Sequence, residues 1–139
     1  MDLDLTPSTR SHGAQRMITA TVLVCEALVV FFAVLVAHQL APDDRALTWT
    51  WGLVTAIALL LNAGLLRRGA WAYWLALALQ IPAILLGLQV GAMWAIGIGF
   101  AAMLAYGIVK GRQLDREKDA VDARVLAAGG PDKERPDAG

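Results

Sequence analysis

Lysine, arginine and aspartate are missing from four long stretches of this chain: Met17–Gln39, Leu47–Leu66, Ala70–Leu88 and Ala92–Val109. A helix of a water-soluble domain keeps a polar face, so runs of this length almost without charge point away from that class. Cysteine and histidine are scarce as well. The single cysteine, Cys25, excludes an intrachain disulfide and lies inside the first stretch. His12 and His38 are too few and too far apart to build a zinc or iron site with it. No nucleophile–base constellation and no phosphate-binding loop is discernible, and Gly97-Ile98-Gly99 is too short a match to count as one. The expectation is therefore a protein without enzymatic chemistry, cofactor, metal or nucleic-acid partner.

Apolar residues make up 58% of the 139 residues, and they are concentrated in these four stretches. Each stretch is close to the ~20 residues that cross ~30 Å of hydrocarbon at 1.5 Å per residue. The fold class predicted is all-α: an integral membrane bundle of four transmembrane helices in two antiparallel hairpins. The expected organisation is a disordered tail over 1–15, a four-span domain over 16–110, a charged helix over 111–128 and a second disordered tail over 129–139. The first stretch is longer than the ~7–15 apolar residues of a cleaved leader, and Ala37-His38-Gln39 is a poor cleavage site. It is read as a retained span.

The formal net charge is zero, yet the basic residues are unevenly placed. Arg16 precedes the first span, Arg67 and Arg68 separate the second from the third, and Lys110 and Arg112 lead the basic residues that follow the fourth. Basic residues next to spans are retained in the cytoplasm, so these are taken as topology determinants, and a plasma-membrane protein with both termini on the cytoplasmic side is expected. Trp49, Trp51 and Trp94 on one side, and Trp71, Tyr73 and Trp74 on the other, are placed at headgroup level.

Small and polar residues at helical spacing mark the faces where membrane helices meet. Thr19, Glu26, Ala33 and Ala37 share a side of span one; Gly52, Thr55, Ala56, Asn62 and Ala63 share one of span two. Span three offers Tyr73, Ala76, Gln80, Ala83 and Gly87, and span four Ala92, Ala95, Gly99, Ala102 and Tyr106. Gly107 and Gly111 have the small-xxx-small spacing of a dimer contact, a weak signal at the membrane edge.

Glu26 is the only acid within the four stretches. It lies ten residues beyond Arg16, as Gln80 lies twelve beyond Arg68, which puts both roughly 15–18 Å deep, near the midplane. Equal depth and small-residue faces predict a Glu26–Gln80 polar pair. Pro82, two residues on, removes a backbone donor and crowds the carbonyl of Ala78. An ionised carboxylate at the bilayer centre costs about 2.5–3.5 kcal/mol. Protonating a reference glutamate at pH 7 costs roughly 3.7 kcal/mol. With figures this close, a neutral hydrogen-bonded Glu26 and a proton-exchanging one both stay open.

Arg16-Met17 leading to Glu26, Gly64-Leu65-Leu66-Arg67-Arg68, Trp71-Ala72-Tyr73-Trp74, Gln80, Gly87, Met93 and Phe100 together resemble an actinobacterial membrane family, domain of unknown function 4233. The resemblance runs from about Arg16 to Lys118. It implies a small plasma-membrane protein of four spans, with genes often beside one for folylpolyglutamate synthase. Ala76 and Ala78 stand where relatives are expected to carry glycine or tryptophan.

Three functional readings follow. The first is a non-enzymatic accessory or scaffold subunit acting through helix packing, with a second copy or an unknown membrane or cytoplasmic protein as partner. The second is a proton-coupled small-molecule transporter using Glu26, on the plan of small multidrug exporters. The third is a folate- or lipid-linked binding protein.

Overall fold

The computed structural model describes residues 13–40, 43, 45–88 and 90–129. Five α-helices account for most of them: α1 (Ala14–Leu40), α2 (Arg45–Leu65), α3 (Trp71–Ala78), α4 (Gln80–Leu85) and α5 (Ala92–Ala127), with a 3-10 turn at Leu86–Leu88. Four helical segments are long and apolar enough to cross a membrane, α3, α4 and the turn together forming the third, Trp71–Leu88. The architecture is that of a multi-pass membrane protein. Most of the residues expected to form disordered tails, and the loop residues Pro42 and Asp44, lie outside those described.

Pro82 accounts for the division of the third segment. Without a Pro82 N–H, the Ala78 carbonyl has no partner four residues on, and the ring crowds it. The α-helix gives way at Leu79, whose carbonyl accepts from the Ala83 N–H at a stretched 3.4 Å. Gln80 thus becomes the first residue of α4. Trp51 donates its indole N–H to the Pro82 carbonyl at 3.0 Å, tying α2 to the interrupted segment.

Helix α1 packs against both α2 and α5, and the third segment packs against α5 and α2 on the far side. The buried face of α1 runs Gln15, Thr19, Val22, Leu23, Glu26, Val30, Ala33, Val34 and Ala37, a stripe with the three- and four-residue steps of a helix packed on neighbours. Leu23, Val30, Val34, Leu59, Leu86, Leu104 and Ile108 fill the interior. Outward lie Phe32, Val36, Val54, Leu61, Ile81 and Ile98, side chains suited to acyl chains.

Glycines set the closest approaches. A Cβ on Gly97 would come within 3.1 Å of the Ile84 Cα, so α4 lies directly on α5 there. A Cβ on Gly107 would meet Ile18 Cγ2 at 2.9 Å, and one on Gly111 would collide with the Gln15 backbone. This Gly107/Gly111 pair therefore seats α1 on α5 within one chain, where the spacing had pointed to a dimer contact.

Several expectations are corrected. Ala76, Ala83 and Gly87 are buried as packing residues, but Ala95, Gly99 and Ala102 are exposed, and Gly99 has no neighbour within 4 Å of where a Cβ would be. The packed face of α5 is Met93, Gly97, Leu104, Gly107, Ile108 and Gly111. Two residues of offset, from Ala95 to Gly97, turn a helix by about 200°, onto its opposite side. Span four carries small residues on both faces, and the side that Ile84, Ile18 and Gln15 approach is the one that packs. The charged helix is not separate either: α5 continues unbroken to Ala127. Ala14 and Gln15, assigned to a disordered tail, open α1, and Gln15 is fully buried. Tyr73 is 1% exposed and belongs to the core, while Trp71 and Trp74 face outward.

These contacts separate two glycines of one helix. Gly111→Ala is expected to destabilise the bundle by about 1–3 kcal/mol through overpacking, read as an earlier unfolding midpoint in mixed micelles. Gly99→Ala, facing open space, should leave the midpoint unchanged or raise it slightly, since alanine is the better helix former.

Candidate intramembrane polar site

Glu26 projects from the middle of α1 and Gln80 from the start of α4, two helical segments on opposite sides of the bundle. Both side chains are buried, at 2% and 3% exposure. The Gln80 Nε2 amide donates to Glu26 Oε2 at 2.7 Å. The bond thus crosses the interior and joins two segments that share little packing surface. Apolar surroundings favour such a bond, since neither group has water as an alternative partner.

The pair is not saturated. Glu26 Oε1 and Gln80 Oε1 are both buried without a hydrogen-bond partner among the described residues. A carboxylate offers only acceptors, whereas a protonated carboxyl carries one O–H that an amide oxygen can accept. The pair therefore has room for one proton. The Cys25 side chain, next in sequence to Glu26, points outward and takes no part.

A second polar layer sits where α1 begins, and only Arg16 and Arg112 of it figured among the candidate residues, as topology determinants. Helix α1 has no acid in its own first turn. Asp115, a hundred residues away on α5, supplies one: its Oδ1 accepts from the Ala14 N–H at 2.7 Å and its Oδ2 from the Gln15 N–H at 3.1 Å. Free amides and a positive dipole end make a helix N-terminus a natural seat for a carboxylate. Asp115 is fully buried. Its position, four residues past Gly111 and eight past Gly107, extends the packed stripe of α5 beyond its apolar run. That continuation was the available signal, and the surrounding charge obscured it.

Asn62, on the polar face of α2, donates its Nδ2 amide to the Ala72 carbonyl at 3.1 Å. At the opposite end, Trp49 donates to His38 Nδ1 at 3.1 Å with the rings edge-on, and Arg45 donates to the His38 carbonyl. Arg67 and Arg68 are exposed just beyond α2, and Lys110 bonds Gln113 on the same helix. With Gly111 against Gln15, and Arg16 and Arg67 lining one groove, the five expected topology determinants gather at one end of the bundle. Among the described residues no three His, Cys, Asp or Glu side chains are grouped to hold a metal.

A family model described as "Protein of unknown function (DUF4233)" matches residues 16–120, a span that takes in Glu26, Gln80 and Asp115. No curated protein and no solved structure matches the chain.

Two measurements follow from the two layers. A double-mutant cycle of Glu26→Ala and Gln80→Ala in bicelles should return a coupling of about 0.6–1.7 kcal/mol, the range of interhelical hydrogen bonds in membranes. Asp115→Ala should cost about 0.5–2 kcal/mol, as loss of a helix cap does, with faster hydrogen exchange at the Ala14 and Gln15 amides.

Proposed function

Since the chain belongs to the DUF4233 family, whose activity is not defined, we propose a role from the geometry of the chain itself: a non-enzymatic accessory or scaffold subunit of the plasma membrane. Its spans form two antiparallel hairpins with both termini in the cytoplasm, and its partner is a second copy or another membrane or cytoplasmic protein. The gathering of Arg16, Arg67, Arg68, Lys110 and Arg112 at one end supports that orientation, because basic residues are held on the cytoplasmic side.

The observation that carries the scaffold reading is the far end of α5. Beyond Asp115 it runs on to Ala127 with every residue exposed, and Val121, Val125 and Leu126 present apolar side chains along it. A helix that leaves the bundle with an uncovered apolar edge is suited to laying that edge on a protein partner. The Glu26–Gln80 bond suits the same reading, as an internal clamp that keeps the spans in register.

A second reading has one observation in its favour. The unpaired Glu26 Oε1 leaves room for proton exchange, and an intramembrane acid is the customary coupling group of a transporter. Glu26→Gln distinguishes the two. In reconstituted vesicles the scaffold reading expects no proton-linked flux of cationic dyes above that of empty vesicles, for the wild type as for the variant. Flux present in the wild type and lost in a stably folded Glu26→Gln protein overturns it in favour of transport.

A further inference from the structure

At the end where the basic residues gather, a groove of about 400 Å³ opens between the start of α1 and the end of α2. Arg16 stands on one bank and Arg67 on the other, and Met17, Ala20, Ala63 and Gly64 form its apolar part. The far side of the α1 start is occupied, seated on α5 through Gly111 and Asp115. That contact also takes up the Ala14 and Gln15 amides, so the attraction of the groove for an anion comes from the two guanidiniums. No acidic side chain lines it among the described residues.

We propose that this groove binds one anionic phospholipid, with its phosphate between Arg16 and Arg67 and an acyl chain along Met17, Ala20, Ala63 and Gly64. The two parts of the site have the order of the lipid itself. The arginines flank the ends of spans, where phosphates lie, and the apolar residues follow within about one turn further in on each side. Guanidinium and phosphate oxygens pair with two parallel hydrogen bonds, which a single ammonium cannot do. The small residues keep the slot open: Gly64 is exposed, with nothing within 4 Å of where its Cβ would stand. Basic clefts between membrane helices hold phosphate-bearing headgroups for these reasons. The inference rests on the spans lying in a bilayer and stands whether or not the protein is a scaffold.

Native mass spectrometry of the full chain in mild detergent tests it, with phosphatidylglycerol and phosphatidylcholine of identical acyl chains as probes. The wild type should retain phosphatidylglycerol in preference. Arg67→Gln should weaken retention about fivefold, the ratio corresponding to ~1 kcal/mol per basic residue at an anionic surface. Gly64→Leu should abolish it by filling the slot, and because Arg67 and Gly64 are both exposed, these variants keep the fold, as melting in phosphatidylcholine micelles checks. Arg68→Gln, which neutralises the adjacent charge outside the groove, should bind as the wild type does. Equal retention of the two lipids, wild-type retention by Arg67→Gln or by Gly64→Leu, or a loss in Arg68→Gln matching that in Arg67→Gln overturns the site. Displacement of the lipid by an equal concentration of inorganic phosphate would assign the arginines to a soluble anion and likewise overturn it.

Discussion

A hydrocarbon surrounding offers no hydrogen bonds, so the polar groups within these helices find partners only inside the protein. That constraint organises the bundle. It brings the Gln80 amide to Glu26 across the interior, the Asn62 amide to the Ala72 carbonyl, and the Trp51 indole to the carbonyl of the proline that interrupts its neighbour. Thr19 and Thr55 answer it locally, each bonding the carbonyl four residues back. Two of the interhelical bonds tie α2 to the third segment and one ties α1 to it, and together they restrict how these spans can slide or rotate.

Close packing supplies what hydrogen bonds do not. Helices in lipid gain little from hiding apolar surface, since the acyl chains outside are as apolar as the interior, and dispersion contacts between well-fitted surfaces take over. Gly97, Gly107 and Gly111 allow α5 to approach α4 and α1 at backbone distance, while Leu23, Val30 and Leu104 fill the spaces between. The last of these contacts continues past the apolar run of α5 as the Asp115 cap on α1. A helix that reads as an apolar span followed by a charged helix is one rod, and the turns where the two meet are part of the core.

That cap links packing to the proposed roles. It holds the start of α1 on α5, and the groove bearing Arg16 and Arg67 lies on the other side of the same turns. The exposed remainder of α5 leaves the bundle from the same end. The proposed lipid contact and the proposed partner contact are therefore neighbours on a face rich in basic charge. Glu26 is set apart from both, enclosed near the centre of α1, where it bears on how the segments hold together.

How much was readable beforehand depends on the physical signal at each place. The number of membrane-length helices follows from uncharged runs, because a charge in hydrocarbon costs enough to be excluded wherever it has no partner. The Glu26–Gln80 pairing was legible because two scarce polar groups shared a depth, and helix rise alone fixes depth. The packed face of α5 was not legible, since Ala95 and Gly99 on one side compete with Gly97 and Gly107 on the other. Composition along a single helix cannot choose between two faces of small residues; the approach of Ile84, Ile18 and Gln15 does. Asp115 was hidden for a similar reason, its partners lying a hundred residues away. The chain alone thus determined which segments are apolar and how far along its helix each polar group lies, both local properties of a helix. Which faces meet, and which acid serves another helix, are relations between distant segments, and only the assembled bundle decided them.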